Sequence, residues 1–331
     1  MKVSEIGEFG LIELLAEILS REGEKQPLLV GIGDDAAAWQ SDGSTLLATT
    51  DTLVQGVHFN FSPECTWREL GWKALAVNLS DIGAMGGVPQ YALLSLSLPK
   101  DTEVEGVIQF YHGMAEIANQ FKVAIAGGNI TSSPLVVITL ALIGKASKGI
   151  LTRGLALPGE LIAVTSYLGS AAGGLRALTR HLEFEPETVT FLKKAFLQPQ
   201  PRVAEGQLLV DYGVKAAIDI SDGLIADLTH VCQASKVGAI IRIDQIPVHP
   251  SLRAAFKDEY LNLALTGGED YELLFTASPE VINKVKKDAG CPITVIGEVV
   301  EGPGQVTLLD EEGKPMNWDK KGWDHFASGN Y

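Results

Sequence analysis

Paired carboxylates that directly follow glycines are the residues in this sequence best suited to chemistry. Asp34 and Asp35 follow Gly31-Ile32-Gly33, and a second acidic pair follows Gly267-Gly268. Glycine lets the backbone come close to a ligand, and adjacent like charges repel unless a cation lies between them. Each motif alone is also compatible with a solvated turn, because Asp and Gly are favoured turn residues.

Further carboxylates occupy the ends of predicted strands and helices, where few Lys or Arg residues accompany them. So many acidic groups cannot converge without cations. Mg²⁺ is the fitting ion because it prefers oxygen ligands and bridges them to phosphates, which points to phosphoryl transfer from a nucleoside triphosphate. Together with the two acidic pairs, the candidate carboxylates are Asp34, Asp35, Asp51, Asp81, Asp219, Asp222, Glu269 and Asp270.

Several of these positions also have a structural interpretation. Asp51 stands in Thr49-Thr50-Asp51-Thr52, where threonines at a strand end can bond to the backbone. Ser221 or Asp222 can cap the helix that is predicted to follow. A cap does not account for Asp219, which is a second carboxylate at the end of the preceding strand.

The familiar nucleotide-binding motifs are missing from the sequence. It contains no Gly-x-x-x-x-Gly-Lys-Ser/Thr loop, no protein-kinase glycine-rich loop and no His-Arg-Asp motif. Any ATP site must therefore be of another design, in which metal cations take the role of the usual lysine.

Composition narrows the function classes. The formal charge of −15 over 331 residues argues against nucleic acid or an anionic membrane as the partner. Cys65, Cys232 and Cys291 are widely spaced and form no metal-binding or disulfide pattern, so reduced thiols in the cytoplasm are expected. The N-terminus does not resemble a signal peptide, and the apolar run from Leu135 to Ile143 is too short to cross a bilayer.

The periodicity predicts two α/β domains, residues 1–148 and 149–331, divided where Gly, Lys, Arg and Pro accumulate. The predicted helices cover 9–19, 67–81, 103–121, 169–178, 202–212 and a stripe after 224. The predicted strands cover 28–32, 46–50, 91–98, 123–126, 134–143, 161–165 and 214–220.

Six motifs, in order along almost the whole chain, resemble those of the thiamine-monophosphate kinases. They are Gly-Ile-Gly-Asp-Asp-Ala (31–36), Thr-Thr-Asp-Thr-Leu-Val (49–54), Lys-Ala-Leu-Ala-Val-Asn-Leu-Ser-Asp (73–81), Ile-Asp-Ile-Ser-Asp-Gly-Leu (218–224), Gly-Gly-Glu-Asp-Tyr-Glu-Leu (267–273) and Gly-Trp-Asp-His-Phe (322–326). The resemblance implies the two-domain fold of the aminoimidazole ribonucleotide synthetase superfamily, with mixed sheets, and a homodimer formed by the N-terminal domains.

The resemblance further implies direct, Mg²⁺-assisted phosphorylation of thiamine monophosphate by ATP, with Asp51 and Asp222 as the principal catalytic residues and several Mg²⁺ ions. The implied metal-binding residues are Asp34, Asp35, Thr50, Asp51, Asp81, Asn129, Asp219 and Asp222. Asp35 is the better candidate for direct ligation, and Asp34 for shaping the turn. ATP would contact Thr49, Tyr111, Gly128, Arg153 and Ser221, and thiamine monophosphate would contact His58, Glu269 and Trp323. Without the resemblance, His58 and Trp323 can equally be packing residues.

One position departs from the family pattern. The family has Gly-Gly-Asp-Thr where this sequence has Gly127-Gly128-Asn129-Ile130. An amide is a weaker Mg²⁺ ligand than a carboxylate, so one metal site is expected to be weakened. Two alternatives stay open, namely another ATP-dependent enzyme of the superfamily and a non-catalytic protein that keeps the fold. The selenide and hydrogenase-maturation branches are disfavoured because the first cysteine is Cys65 and the sequence ends in Asn330-Tyr331.

Overall fold

A computed structural model describes residues 10, 12, 28–41, 43–63, 65–316, 318 and 322. The described chain forms two mixed β-sheets with helices packed on them, which confirms the predicted α/β fold class. The first sheet comprises β1 (Ala37–Ser41), β2 (Ser44–Val54), β3 (Val88–Leu98), β4 (Ala124–Ser132) and β5 (Val137–Ala146). Its helices are α1 (Trp67–Ala84) and α2 (Val104–Phe121).

The first sheet has the strand order β1-β2-β5-β3-β4, in which only β3 and β4 run parallel. Alternation along β5 buries Ile138, Leu140 and Leu142 against the helices. The opposite face of β3 leaves Tyr91 and Leu93 half exposed. One face of this sheet is therefore packed by helices, and the other carries apolar side chains at the surface.

Helix α1 lies between the two halves of the molecule. A capping box starts it, because the Thr66 side chain accepts from the helix backbone while Glu69 accepts from the Thr66 amide. The helix is buried almost all round, since it packs on α2 and the first sheet on one side and contacts β7 of the second sheet on the other. Residues on α1 can therefore reach side chains of both halves.

The second sheet has the strand order β12-β11-β8-β10-β6-β9-β7, with β8 and β11 parallel and the other pairs antiparallel. Two apolar clusters form its core. Its strands are β6 (Leu161–Thr165), β7 (Ala216–Asp219), β8 (Gly238–Arg242), β9 (Leu273–Ala277), β10 (Ile293–Val300), β11 (Val306–Leu309) and β12 (Pro315–Met316). Its helices are α3 (Ser170–Thr179), α4 (Pro186–Leu197), α5 (Val203–Asp211), α6 (Leu224–Ser235), α7 (Pro250–Ala255), α8 (Tyr260–Thr266) and α9 (Pro279–Asp288).

One predicted strand is wrong. Residues 28–32 make only isolated bridges, Val30 with Ala38 and Ile32 with Asp34, and the strand that begins the sheet is β1. In this apolar run Leu28 and Leu29 are more than half exposed, and Val30 packs against the core of the first half. The predicted opening helix at 9–19 lies outside the described residues, apart from residues 10 and 12. Within the described parts of the chain, no helix is both long and apolar enough to span a membrane.

Candidate functional site

Three of the predicted metal-binding carboxylates come together between the two sheets. Asp35 follows the glycine turn, Asp81 lies near the end of α1, and Asp219 is the last residue of β7. One oxygen from each lies within 4.8 Å of the others. The cluster therefore combines carboxylates from both halves of the chain, and α1 is the element that joins them.

Two hydroxyl groups orient these carboxylates. Thr49 Oγ1 donates a hydrogen bond of 2.6 Å to Asp81 Oδ2, and Ser80 Oγ donates one of 2.5 Å to Asp219 Oδ2. Ser80 is on α1 and Asp219 on β7, so the second bond crosses between the two halves. Each carboxylate keeps one oxygen that is not taken by its hydroxyl partner.

The glycine turn is held by Arg153 from the segment after β5. The Arg153 backbone amide donates to Asp34 Oδ2 at 3.0 Å, and its guanidinium pairs with Asp35 Oδ1, where Nε lies at 3.2 Å. Asp34 Oδ1 also accepts from the Asp35 amide. Asp34 therefore closes the turn with two hydrogen bonds, whereas Asp35 Oδ2 is buried and has no hydrogen-bond partner among the described residues.

The carboxylates of the cluster are held in a charge-rich, buried environment. Burial, followed by the charges of Asp51 and Asp219, raises the pKa of Asp81 well above its usual range. Burial and then the charge of Asp35 raise the pKa of Asp219 to about 8. Burial and the same neighbour raise the pKa of Asp34 to about 6. Like charges at such short range require a cation or protons to be stable.

The donor set fits Mg²⁺. Three carboxylates from Asp35, Asp81 and Asp219 offer the hard oxygen ligands that this ion takes, and the partnerless Asp35 Oδ2 is available to it. Asp51 lies on the same face of β2 as Thr49, and burial raises its pKa, with Asp81 as hydrogen-bonding neighbour. Thr50 lies on the opposite face and donates to Leu140 O, so its hydroxyl is turned away from the cluster.

Asp227 organises the acidic loop between β7 and α6, although its position in the sequence does not distinguish it from an ordinary helix residue. Its Oδ2 accepts hydrogen bonds of 3.1 Å from the amides of Ser221, Asp222 and Gly223. Three convergent amides fix the backbone between β7 and α6, where Asp222 stands. The available signal was an acidic residue in the first turn of α6, which is also an ordinary helix feature.

We expect Asp227→Ala to loosen this loop. The substitution leaves three amides, of which that of Gly223 is buried, without their acceptor, which should cost roughly 1–3 kcal/mol of unfolding free energy and lower turnover. Thermal denaturation and steady-state kinetics measure both effects, with Asp244→Ala, on a surface turn, as the matched control. Unchanged kinetics in Asp227→Ala would mean that the site does not depend on this anchor.

The loop 267–271 packs directly on the end of β7. The Glu269 amide donates to Ser221 O at 2.7 Å, and the Tyr271 amide donates to Ile220 O at 2.8 Å. Glu269 therefore lies beside the acidic loop. Asp270 instead points away to cap α3, accepting from the amides of Gly169 and Ala171 at 2.6 and 3.2 Å. The two adjacent carboxylates therefore lie in different places, Glu269 beside the acidic loop and Asp270 at the start of α3.

Two other predicted contacts lie at different places around the first sheet. His58 follows β2, and its Nδ1 accepts from the Val54 amide at 3.0 Å, so the neutral ring carries its proton on Nε2. Tyr111, on α2, lines an open cavity of about 620 Å³ with apolar neighbours such as Val107, Ile108 and Ile125.

Gly128 and Asn129 lie on β4, apart from the acidic cluster. Cross-strand pairs connect Thr52 through Thr139 and Ser95 to Asn129, so Asn129 is three strand spacings, roughly 14 Å along the sheet, from β2. A Cβ on Gly128 would meet Leu94 O at 1.8 Å, which by itself requires glycine here. Within one chain, Asn129 and the cluster therefore occupy different parts of the sheet.

The predicted contact Trp323 lies outside the described residues. Its neighbour Gly322 is described, and a Cβ there would meet Asp222 O at 2.4 Å. Residue 322 therefore lies against the acidic loop between β7 and α6.

Family models match both halves of the chain. The N-terminal domain model of the AIR synthase related proteins matches residues 33–146, and the corresponding C-terminal domain model matches residues 158–310. Both matches contain residues of the acidic cluster, since Asp35 and Asp81 lie in the first and Asp219 in the second.

Curated relatives and solved structures match over nearly the full length. Thiamine-monophosphate kinase of Buchnera aphidicola subsp. Schizaphis graminum is 39% identical, covering 96% of this chain and 99% of the relative. That of Aquifex aeolicus is 36% identical, covering 98% and 100%. A solved structure described as AaThiL complexed with AMPPCP and TMP superimposes with a TM-score of 0.87 at 36% identity, covering 98% of this chain and 99% of the other.

Proposed function

The chain belongs to the thiamine-monophosphate kinases, a family of AIR synthase related proteins, and we propose that it transfers the γ-phosphoryl group of ATP to thiamine monophosphate. The observation that carries the proposal is the convergence of Asp35, Asp81 and Asp219 from both halves of the chain. It is supported by the likeness to AaThiL complexed with AMPPCP and TMP, since AMPPCP is an analogue of ATP.

Mg²⁺ is the proposed metal, held by the converging carboxylates together with Asp51 and Asp222. When bound, it supplies charge neutralisation for the phosphate oxygens, which is the main requirement of phosphoryl transfer. Thr49 and Ser80 keep Asp81 and Asp219 in fixed orientations, and Asp227 fixes the backbone that carries Asp222. Asp34 keeps the turn that presents Asp35.

The acceptor chemistry explains why no general base is needed. A phosphate monoester carries close to two negative charges at neutral pH, so its oxygen is already a nucleophile. This oxygen forms a bond to the γ-phosphorus of ATP, the bond from that phosphorus to the bridging oxygen breaks, and ADP leaves. Transfer is direct, so a covalent phosphoprotein should not accumulate during turnover.

The proposed ATP contacts fall into two groups. Arg153 and Ser221 lie beside the acidic cluster, where the Arg153 guanidinium can exchange Asp35 for a phosphate oxygen. Tyr111 and Gly128 belong to α2 and β4, and the apolar cavity at Tyr111 suits the adenine ring. The proposed acceptor contacts are His58, Glu269 and Trp323, of which Trp323 offers an aromatic face to the cationic thiazolium ring.

A homodimer would reconcile these two groups of ATP contacts. Strand β4 is the edge of the first sheet, Ile130 on it is 63% exposed, and Tyr91 and Leu93 on β3 extend the apolar surface. An exposed apolar edge strand is a template for pairing with another chain. In a dimer joined at this face, Asn129 of one chain can approach the acidic cluster of the other. The cytoplasm is the proposed compartment, consistent with three free cysteines.

A coupled assay tests the proposed function. Purified protein with ATP, Mg²⁺ and thiamine monophosphate should release ADP in proportion to the acceptor, and thiamine diphosphate should form in equal amount. ADP release that does not respond to thiamine monophosphate would refute the proposal. Trapping a stoichiometric phosphoprotein during turnover would refute direct transfer.

We expect Asn129→Asp to strengthen one metal site. A carboxylate is a better Mg²⁺ ligand than an amide, so the Mg²⁺ concentration for half-maximal activity should fall, roughly threefold to tenfold. Activity is measured across an Mg²⁺ titration, with Asn283→Asp on the exposed face of α9 as the control for added charge. An unchanged titration would count against Asn129 as a ligand.

A further inference from the structure

A buried lysine, Lys73, contacts Glu269, which is one of the residues proposed to bind the acceptor. It lies on α1 with 2% of its side chain exposed. Its ammonium is 2.9 Å from both carboxylate oxygens of Glu269, and the Phe196 ring lies beneath it at 3.6 Å from the centroid. Lysine is seldom so deeply buried unless it is paired. Both flanking contacts hold the ammonium in one place.

Glu269 is held in an uncommon conformation that points its side chain at Lys73. Its φ angle is +69°, in the left-handed region, and Tyr271 two residues later has a φ angle of +51°. Such angles persist in residues other than glycine only where surrounding contacts enforce them, and they concentrate at ligand sites. Here the enforcing contacts are the hydrogen bonds from both amides to Ser221 and Ile220.

The ion pair crosses from the first half of the chain to the second, beside the acidic cluster. The Glu269 amide is bonded to Ser221, the residue before Asp222 in the acidic loop after β7, so neighbouring aspartates would repel the Glu269 carboxylate. Lys73 offsets this repulsion and holds both carboxylate oxygens. The Glu269 side chain is still 23% exposed, so the pair is buried at its lysine end and open at its carboxylate end.

We infer that Lys73 is a positioning residue for Glu269 and thereby sets the affinity for the acceptor. The inference rests on the proposed function and extends it to a residue with no direct substrate contact. The same helix presents Asp81 to the metal site and Lys73 to the acceptor site. A carboxylate held against Lys73 keeps its open edge facing the acceptor, whereas an unpaired one would turn toward solvent to escape the neighbouring aspartates.

A purely structural ion pair would behave differently from a positioning one. Loss of a structural pair lowers the melting temperature and depresses turnover for both substrates alike. Loss of a positioning residue raises KM for the acceptor while KM for ATP is kept. The effect of removing a positioning residue also does not add to the effect of removing the group through which it acts, because residues in direct contact are coupled.

The test is a double-mutant cycle with Lys73→Met and Glu269→Gln, read as KM for thiamine monophosphate and KM for ATP in the full-length protein. Each single variant should raise KM for the acceptor about tenfold or more, with KM for ATP within about twofold. The double variant should match Glu269→Gln alone. Lys148→Met, which removes an exposed lysine paired with Asp211, is the matched control and should leave both constants unchanged.

Three results would each overturn the assignment. They are equal changes in both KM values, a double variant whose KM increase is the product of the two single increases, and no change in KM in Lys73→Met. If Lys73→Met does not fold, Lys73→Arg tests the same point. A retained cation should keep KM for the acceptor closer to that of the unmodified protein than Glu269→Gln does. Calorimetry of thiamine monophosphate binding separates the proposed kinase function from the positioning role of Lys73. No acceptor binding or turnover in the unmodified protein refutes the proposed function and this assignment together, whereas normal turnover with an unaffected Lys73→Met refutes only the assignment.

Discussion

Asp219→Asn is expected to remove most of the activity and at the same time to stabilise the protein in the absence of metal. Asp219 is 2% exposed and shares its surroundings with Asp35 and Asp81. Asparagine keeps the shape and an oxygen that can accept from Ser80, but it removes one negative charge. Losing a carboxylate that neutralises and positions the transferring phosphates should lower kcat roughly 10³-fold.

The stability effect follows from the raised pKa of Asp219. Burial and the charge of Asp35 raise this pKa to about 8 from an ordinary value of 3.8. Below the lower value both the folded and the unfolded chain hold the proton, and between the two values only the folded chain does. Stability of the metal-free protein therefore falls as the pH rises through this window. Asparagine removes this contribution, so the variant should be more stable near pH 8, by about 1–3 kcal/mol.

Thermal denaturation in EDTA and in Mg²⁺ tests both parts. Mg²⁺ should raise the melting temperature of the unmodified protein, because it binds the folded state, and should raise that of Asp219→Asn much less. Asp211→Asn, at an exposed ion pair, is the control and should behave like the unmodified protein. A variant that is less stable than the unmodified protein in EDTA would identify Asp219 as a structural residue.

Gly268→Ala is expected to damage the site through the backbone. A Cβ at this position would lie 2.3 Å from Ser221 O and 3.3 Å from Asp222 Cα. Backbone atoms cannot yield as a flexible side chain can, so either loop 267–271 or the acidic loop after β7 must move. Because a displacement near 1 Å can cost about 10²-fold in rate, activity should fall at least that far.

Gly268→Ala should change both the kinetics and the thermal stability. Overpacking should lower the free energy of unfolding by about 1–3 kcal/mol and the melting temperature by a few degrees. Gly302→Ala is the matched control, because its new Cβ would come no closer than 3.4 Å to Gly238. Full activity in Gly268→Ala would mean that the two loops need not pack as closely as the structure has them.

The elements with a clear period could be predicted from the sequence because their burial is one-sided. Alternation in β5 and the apolar stripe of α6 follow directly from the spacing of their residues. Strand β1 was missed because Ala37–Ser41 is short and contains polar residues, and its place is decided by pairing with β2. The more apolar segment at 28–30 only bridges to it.

The candidate carboxylates can be recognised without knowledge of the fold, because acidic residues that follow glycines or end predicted strands are local features of the sequence. The local pattern does not separate Glu269 from Asp270, because they are adjacent in the chain and alike in type. The family resemblance implies that Glu269 contacts the acceptor, and the structure shows that Asp270 caps α3. The meeting of Asp35, Asp81 and Asp219 follows from the packing of α1 between the two sheets, which local sequence patterns do not contain. The same packing brings Lys73 to Glu269 across 196 residues of sequence, and no local pattern contains that information.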